Sequence, residues 1–374
     1  MRICLPTGIF PPDIGGPASY VPRIARALTE RGHTVEVITL SDAPHEDGQY
    51  PFAMRRIPRG MARLPRMART ITAIARGARR AEVIYANGLF IEAVLARAIV
   101  RRPLVMKVVG DWAWERATLN HRTSDSLDDF QRRHQHVRDE AVKRLRAGVT
   151  RRATRVIVPS RHLADVVASW GVARESIDVI YNAPDLAATQ RVNLPPFEGR
   201  TVVTVGRLIP LKRVDALFRA IKELPQTRLI VAGDGPLRTA LEREAAQLGL
   251  GSRAVFLGAV SREAVAGLLQ NSDLFVLNST HEGLPHIVLE ALAAGTPVLA
   301  TRVGGTPEIV EHGVSGWLIP SGNEAELGRA MRMLLEDPAL CDRLREGGRR
   351  VLAQRFRWEA LVEQTQAVLE GAIQ

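Results

Sequence analysis

His281-Glu282-Gly283-Leu284-Pro285-His286-Ile287-Val288-Leu289-Glu290-Ala291-Leu292-Ala293-Ala294-Gly295-Thr296-Pro297-Val298 runs from a Gly/Pro loop into a helix and out through a glycine stop. Leu274–Leu277 before it and Pro297–Thr301 at its end are short apolar runs of strand length, so the unit reads strand–loop–helix–strand. It also carries two carboxylates, Glu282 and Glu290, eight positions apart. Eight residues of helix would place both on one face. With the loop counted, Glu282 lies at the mouth and Glu290 about a turn and a half inside. Glutamate is rare inside a buried helix unless it has a partner. Glu290 sits among Leu289, Ala291 and Leu292, which predicts a hydrogen-bonded role. The alternative is a solvent-facing glutamate on an amphipathic helix.

The same alternation extends in both directions. Thr201–Val205, Arg228–Ala232 and Val255–Leu257 are predicted strands, interleaved with helices over Val214–Lys222 and Pro236–Gln247. In the first half, Arg2–Pro6 is a strand, Ala18–Arg31 a helix stopped by Gly32, and Thr34–Leu40 a second strand. Val83–Ala86, Leu104–Val109, Arg155–Val158 and Ile177–Tyr181 continue the series. Apolar strands separated by helices indicate parallel sheets covered on both faces. Residues 183–200 hold three prolines and little periodicity, and read as a linker. A length of 374 residues suits two such domains. The expected fold is therefore α/β, with two Rossmann-like, doubly wound parallel sheets facing a ligand crevice at their strands' carboxyl ends. The expected domains are 1–190 and 195–355. The tail is helical from about Glu324, Trp358–Ile373 is its last element, and 356–374 are expected to pack back on the first domain.

Charge separates the two halves. Residues 1–194 contain 31 basic and 19 acidic side chains, whereas 195–374 contain 20 and 21. An anionic partner for the first half is one reading. Coding bias is the other, since 47 arginines stand beside four lysines, but bias leaves the balanced second half unexplained. The two cysteines, Cys4 and Cys341, exclude a disulfide framework and point to a reducing, cytoplasmic setting. No apolar run has membrane-spanning length, and Pro6 and Gly8 interrupt any signal-peptide core.

Several loops at predicted strand ends suit an anion. Gly15 and Gly16 precede the first helix, whose N-terminus offers N–H groups; a plain glycine loop is the alternative. The spacing is not the dinucleotide Gly-x-Gly-x-x-Gly fingerprint. Val205-Gly206-Arg207…Lys212-Arg213 places cations at a strand's carboxyl end, where a guanidinium fork suits a phosphate. Gly304-Gly305-Thr306-Pro307-Glu308 begins another helix after a strand. His134 and His136 lack cysteines or carboxylates at ligand spacing, and no metal is expected.

Gly206-Arg207-Leu208…Lys212, Gly233-Asp234-Gly235-Pro236, Phe256-Leu257-Gly258, Glu282-x7-Glu290, Gly295-Thr-Pro-Val and Gly304-Gly-Thr-Pro-Glu308 occur in one order. In that order they resemble glycosyltransferase family 4, a retaining, nucleotide-sugar-dependent family with the GT-B fold. Gly15-Gly16, Gly32-His33 and Ser160 extend the resemblance over nearly the whole chain. The resemblance implies that Arg207 and Lys212 neutralise the donor diphosphate and that Glu290 binds the ribose hydroxyls. It implies that Glu282 contacts the donor sugar and that Gly283 and Leu284 offer amides. The stretch Phe256–Val260, with Gly258 and Val260, would edge the base. Gly233 belongs to the donor set, and Gly15 and Gly16 would close over the phosphates. No metal or other cofactor is implied, and the sequence has no Asp-x-Asp. The implied partners are a nucleotide-sugar donor, a UDP-sugar first, and a glycan or lipid-linked acceptor of cell-surface polysaccharide, lipopolysaccharide or glycolipid synthesis.

One departure matters. Many members carry a histidine at the acceptor-side turn, where this chain has Gly110-Asp111-Trp112-Ala113-Trp114. Asp111 becomes the leading candidate for contact with the acceptor hydroxyl or the donor sugar, and Trp112 and Trp114 for stacking on a sugar, with core packing the alternative. Asn87 would add an amide contact.

Met54–Ala81 holds nine arginines and no acid. Arg59, Arg63, Arg66, Arg69, Arg76 and Arg80 alternate with Met61, Leu64, Met67, Ile71 and Ile74 at helical phase, with Pro65 starting the helix. An anionic membrane surface bound through Arg55–Arg80, on the inner face of the plasma membrane, is one reading. A solvated helix covering the sheet is the other. Nucleic acid is disfavoured, because no aromatic residues interleave the arginines. The competing functions are a GT-B sugar-nucleotide epimerase or hydrolase and a non-catalytic membrane-binding module.

Overall fold

The structure is a computed structural model that describes residues 1–13, 15–42, 47–184 and 188–374. Ile14 of the first glycine loop and residues 185–187 of the linker lie outside the described residues. The chain divides into two compact units, Met1–Ile180 with Glu359–Gln374, and Tyr181–Trp358.

Unit 1 begins with β1 (Arg2–Thr7), α1 (Gly16–Glu30), β2 (Thr34–Leu40) and β3 (Ala53–Ile57). Then come α2 (Arg63–Arg80), β4 (Val83–Ala86), α3 (Phe90–Val100), β5 (Leu104–Lys107), α4 (Trp112–Leu119) and α5 (Leu127–Arg132). It continues through α6 (Val137–Thr150), β6 (Arg155–Val158), α7 (Arg161–Ser169) and β7 (Ile177–Val179). The seven strands are parallel, in the order β3-β2-β1-β4-β5-β6-β7. β4 and β5 are buried at every position, as strands covered on both faces must be. Helix α2 approaches the sheet through small residues. A Cβ on its Gly77 would collide with Glu36, Cys4 and Ile38. The strand order reverses between β1 and β4, where Thr7 bridges to Asn87.

Unit 2 contains β8 (Arg200–Val205), α8 (Val214–Lys222), β9 (Thr227–Ala232), α9 (Arg238–Gln247), β10 (Ala254–Gly258), α10 (Arg262–Gln270) and β11 (Leu274–Leu277). After these come α11 (His286–Ala294), β12 (Val298–Thr301), α12 (Thr306–Ile309), β13 (Trp317–Ile319), α13 (Glu324–Glu336) and α14 (Pro338–Arg355). Its parallel sheet runs β10-β9-β8-β11-β12-β13. Alternate strand residues serve opposite faces. Val202, Leu229, Val231 and Val276 pack with Leu217, Phe218 and Met331, whereas Val203, Ile230, Phe275 and Leu277 pack with Leu268, Val288 and Leu289. The order reverses between β8 and β11, the switch point at which open α/β sheets take their ligands.

The last helix, α15 (Trp358–Ile373), belongs almost wholly to unit 1. Thr365 on it is fully buried, and Arg31 of unit 1 donates to Gln366 at 3.1 Å.

Two strands escape the sequence reading. β3 is a sheet-edge strand whose exposed positions are Ala53 and Arg55, so it merges into the basic run. β13 has only three residues. The first-half strand expected to reach Val109 stops at Lys107, and Val109 is exposed.

Candidate active site

Three loops of unit 2 converge at the carboxyl ends of β8, β11 and β12. The loop after β11 is tied to the loop after β8 by Thr280 N–H donating to the Leu211 carbonyl at 2.8 Å and Asn278 Nδ2 donating to the Arg213 carbonyl at 3.1 Å. It is tied to β12 by Thr301 Oγ1, which donates to the Ser279 carbonyl at 2.6 Å. Gly304 has φ +49°, and a Cβ there would run into the Glu282 carbonyl, which instead accepts the Gly305 N–H at 3.0 Å. Backbone bonding therefore fixes Glu282 opposite Lys212. Lys212 Nζ lies 2.5 Å from Glu282 Oε1, and Ser279 Oγ donates to the same oxygen at 2.6 Å.

An ammonium has three N–H donors, so Lys212 can hold Glu282 and still donate to an incoming oxyanion. Arg207, six positions after the start of the Thr201 run, is exposed and takes no side-chain partner among the described residues. No side chain caps α11. The site thus presents one unneutralised guanidinium, one half-neutralised ammonium and a helix start, which together suit a phosphate.

The other expected donor residues divide. Gly233 has φ +136°, and a Cβ on it would strike the Gly206 carbonyl, so its missing side chain lets the loop after β9 lie against the Arg207 loop. Gly258 is buried and accepts the Gly233 N–H at 2.8 Å. Val260 is half-buried against the core, and the Leu284 side chain is buried in it, while Gly283 is partly open. Glu290 is partly exposed on α11 with the Arg262 guanidinium 3.8 Å away, so it is neither buried nor alone.

In unit 1 the geometry overturns part of the acceptor-side expectation. Asp111 is closed to solvent. It caps α4 by accepting Ala113 N–H at 2.9 Å and Trp114 N–H at 3.3 Å, accepts Gln131 Nε2 at 2.9 Å, and pairs with the buried Arg146. Arg146 lies over Trp170, whose Nε1 donates to Gln131 Oε1 at 3.0 Å. Every oxygen of Asp111 is engaged in this closed network, so it is a structural anion rather than a base facing an acceptor. Trp114 is likewise a core residue, with its Nε1 donating to the Asp125 carbonyl at 3.0 Å. Trp112 keeps a partly open ring. Asn87 is buried at the end of β4, and Gly15 and Gly16 open α1 without a side-chain cap. His136 caps α6, and among the described residues no group of three or more His, Cys, Asp or Glu could hold a metal.

Comparison with known proteins places these motifs. The family described as Glycosyltransferase Family 4 matches residues 14–188, and that described as Glycosyl transferases group 1 matches 187–351. The D-inositol 3-phosphate glycosyltransferase of Mycolicibacterium paratuberculosis is 30% identical over 387 aligned residues, covering 96% of this chain and 86% of that enzyme. The chain belongs to glycosyltransferase family 4. The lipopolysaccharide core biosynthesis glycosyltransferase LpsD of Rhizobium meliloti is 36% identical, across 51% of this chain and 56% of LpsD. The crystal structure of Anabaena HepE with UDP and glucose shares the fold, with a TM-score of 0.81, 24% identity and coverage of 99% and 100% of the two chains.

As a family 4 glycosyltransferase the chain is a transferase with the GT-B architecture of two Rossmann-like units. In its basic stretch the two-faced helix runs over Arg63–Arg80, and the arginines before it are paired. Arg55 pairs with Glu36, Arg56 with Asp47, and Arg59 with Asp13 at 2.7 Å. Arg66 donates to the Arg59 carbonyl. Helix α2 begins at Arg63, two residues before Pro65, and Leu64 is 72% exposed instead of covering the sheet. The exposed arginines that remain on α2 are Arg63, Arg69, Arg76, Arg79 and Arg80. Sequence reasoning also missed Ser279. A small hydroxyl three residues before Glu282 was the available signal, but only the turn of the loop aims it at that carboxylate.

Proposed function

We propose that this family 4 enzyme transfers a sugar from a nucleoside diphosphate sugar, a UDP-sugar first, to a hydroxyl of a glycan or lipid-linked acceptor, with retention at the anomeric carbon. The observation that carries the reading is the loop-locked Lys212–Glu282–Ser279 cluster beside Arg207, unpartnered among the described residues, at the unit 2 switch point. The similarities support it: HepE was crystallised with UDP and glucose, LpsD acts in lipopolysaccharide core biosynthesis, and the mycobacterial relative glycosylates an inositol phosphate by its name.

As the sugar–phosphate bond breaks, charge grows on the diphosphate, and Arg207 and Lys212 stabilise it where it develops. Both cations are protein side chains, which makes the reading one of metal-independent transfer. Glu282, held by Lys212 and Ser279, accepts hydrogen bonds from sugar hydroxyls, and Glu290 binds the ribose. With the Asp111 carboxylate enclosed, the leaving phosphate oxygen takes the acceptor proton during same-face attack. Membrane contact through the exposed arginines of α2, at the inner face of the plasma membrane, belongs to the same proposal. Among the described residues no helix is long and apolar enough to cross a membrane.

A thermal-shift panel of UDP-, GDP-, ADP- and dTDP-sugars tests the donor. A ligand at 100 times its Kd adds about 2.7 kcal/mol. A shift with UDP-sugars that Arg207→Ala and Lys212→Ala abolish is expected. No shift with any nucleotide sugar would overturn the reading, and donor consumed at full rate without an acceptor would replace it with an epimerase or hydrolase.

A further inference from the structure

Unit 1 carries a second open feature, at the amino end of its sheet. Helices α2, α3 and α6 feed the adjacent strands β4, β5 and β6, so their C-terminal ends lie together at the edge opposite the loops that hold Gly15 and Asn87. Between α3 and α6 lies a groove of about 870 Å³, within the roughly 300–1,000 Å³ range of small-ligand pockets. Its wall is apolar, formed by Ile91, Val94, Leu95, Leu145 and Val149. Its rim holds Arg97, Arg101, Arg102 and Arg152, and among the described residues no carboxylate lines it. None of these four arginines has an ion-pair partner among the described residues. Leu95, Ile99 and Leu145 are 42%, 58% and 49% exposed.

Cations at helix C-termini are favoured by the helix dipole. The dipole does not explain large aliphatic side chains left open beside them, nor Arg101 and Arg102, which follow the helix. An apolar trough rimmed by unneutralised guanidiniums matches an amphiphile with a negative head: an acyl chain in the trough and a phosphate on the forks. A second copy of the chain fits worse, because a two-fold contact would press the same arginine rim against itself.

We propose that the α3–α6 groove seats an anionic phospholipid of a bilayer surface, with an acyl chain along Leu95 and Leu145 and the headgroup phosphate on Arg101, Arg102 and Arg152. The site is distinct from the α2 arginines and does not depend on the sugar-transfer reading.

The test is co-sedimentation of the full chain with phosphatidylcholine vesicles, with and without phosphatidylglycerol. Binding is expected only with phosphatidylglycerol, weakening with salt. Since each basic residue near an anionic surface adds about 1 kcal/mol, Arg101→Glu/Arg102→Glu should lower the partition constant at least about tenfold. Leu95→Gln/Leu145→Gln should also weaken binding, without changing net charge. Both pairs are exposed, and an unchanged Tm and UDP-sugar thermal shift would show that fold and donor site are intact. Inorganic phosphate at millimolar concentration should not displace the vesicles; full displacement would mean a soluble-phosphate site and overturn the lipid assignment. Loss of binding only in Arg69→Glu/Arg76→Glu would place the contact on α2 and overturn the groove. So would equal binding by both groove variants, or no binding to phosphatidylglycerol. A concentration-dependent dimer in light scattering that the groove variants abolish would assign the face to a second copy instead.

Discussion

The strand-end charges of the two units are handled in opposite ways. In unit 2, Lys212 and Glu282 meet in a partly open site and Arg207 has no side-chain partner among the described residues. In unit 1, Asp111 and Arg146 are sealed under Trp170, and Lys107, at the end of β5, is buried with its ammonium 4.2 Å from the Tyr20 ring centre and no hydrogen-bond partner among the described residues. Similar chemistry at similar positions in the sheet therefore does different work. Where loops are bonded to one another, charge stays partly open; where helices close over the strand end, charge holds the helices in place.

The largest break in this comparison would come at Asp111. Removing one member of a buried pair leaves the other uncompensated, so Asp111→Ala should cost about 3–5 kcal/mol of stability in denaturant unfolding. A variant as stable as the parent but inactive would return Asp111 to the chemistry. Lys212→Ala should keep its melting temperature yet lose about 100- to 1,000-fold in kcat/KM. Near-full kcat/KM would end the assignment of unit 2 as the charged site.

Lys107 sharpens the contrast through pH. Burial pushes its ammonium down to about 7 from 10.5. Between those pH values the unfolded chain holds a proton that the native state has released, so parental stability rises with pH across that window. Lys107→Met should be more stable by a few kcal/mol at pH 7 and below, and the gain should shrink toward pH 10. A melting-temperature gap that stays constant over pH 6–10 would refute this. The smallest effect belongs to Ser279→Ala. Loss of one hydrogen bond to a carboxylate should lower kcat/KM about tenfold, with Ser279→Thr recovering part. No change would detach Ser279 from the positioning of Glu282.

What the sequence disclosed follows the same division. Unit 2's site is built from glycines, short loops and charges that each sit in a local motif, so the Arg207, Lys212 and Glu282 loops could be read directly even though Lys212 and Glu282 stand 70 residues apart. Asp111 could not, because its partner Arg146 sits inside α6, where no local motif marks the pairing. The basic run misled for a related reason. Arg55, Arg56 and Arg59 look solvated until β3 brings them beside Glu36, Asp47 and Asp13. Leu64 matches the helical phase of a core residue but lies in the first turn, beyond the part of α2 that touches the sheet.

The return of α15 to unit 1 sets an order of events during synthesis. Unit 1 needs Glu359–Gln374, which leave the ribosome only after all of unit 2. At roughly 5–20 residues per second, Thr365 reaches its place near Tyr20 and Tyr85 about 10–40 s after Ile180 has been made. Unit 2 is contiguous, so its whole chain is made before the last helix of unit 1, and the first half spans that interval without α15.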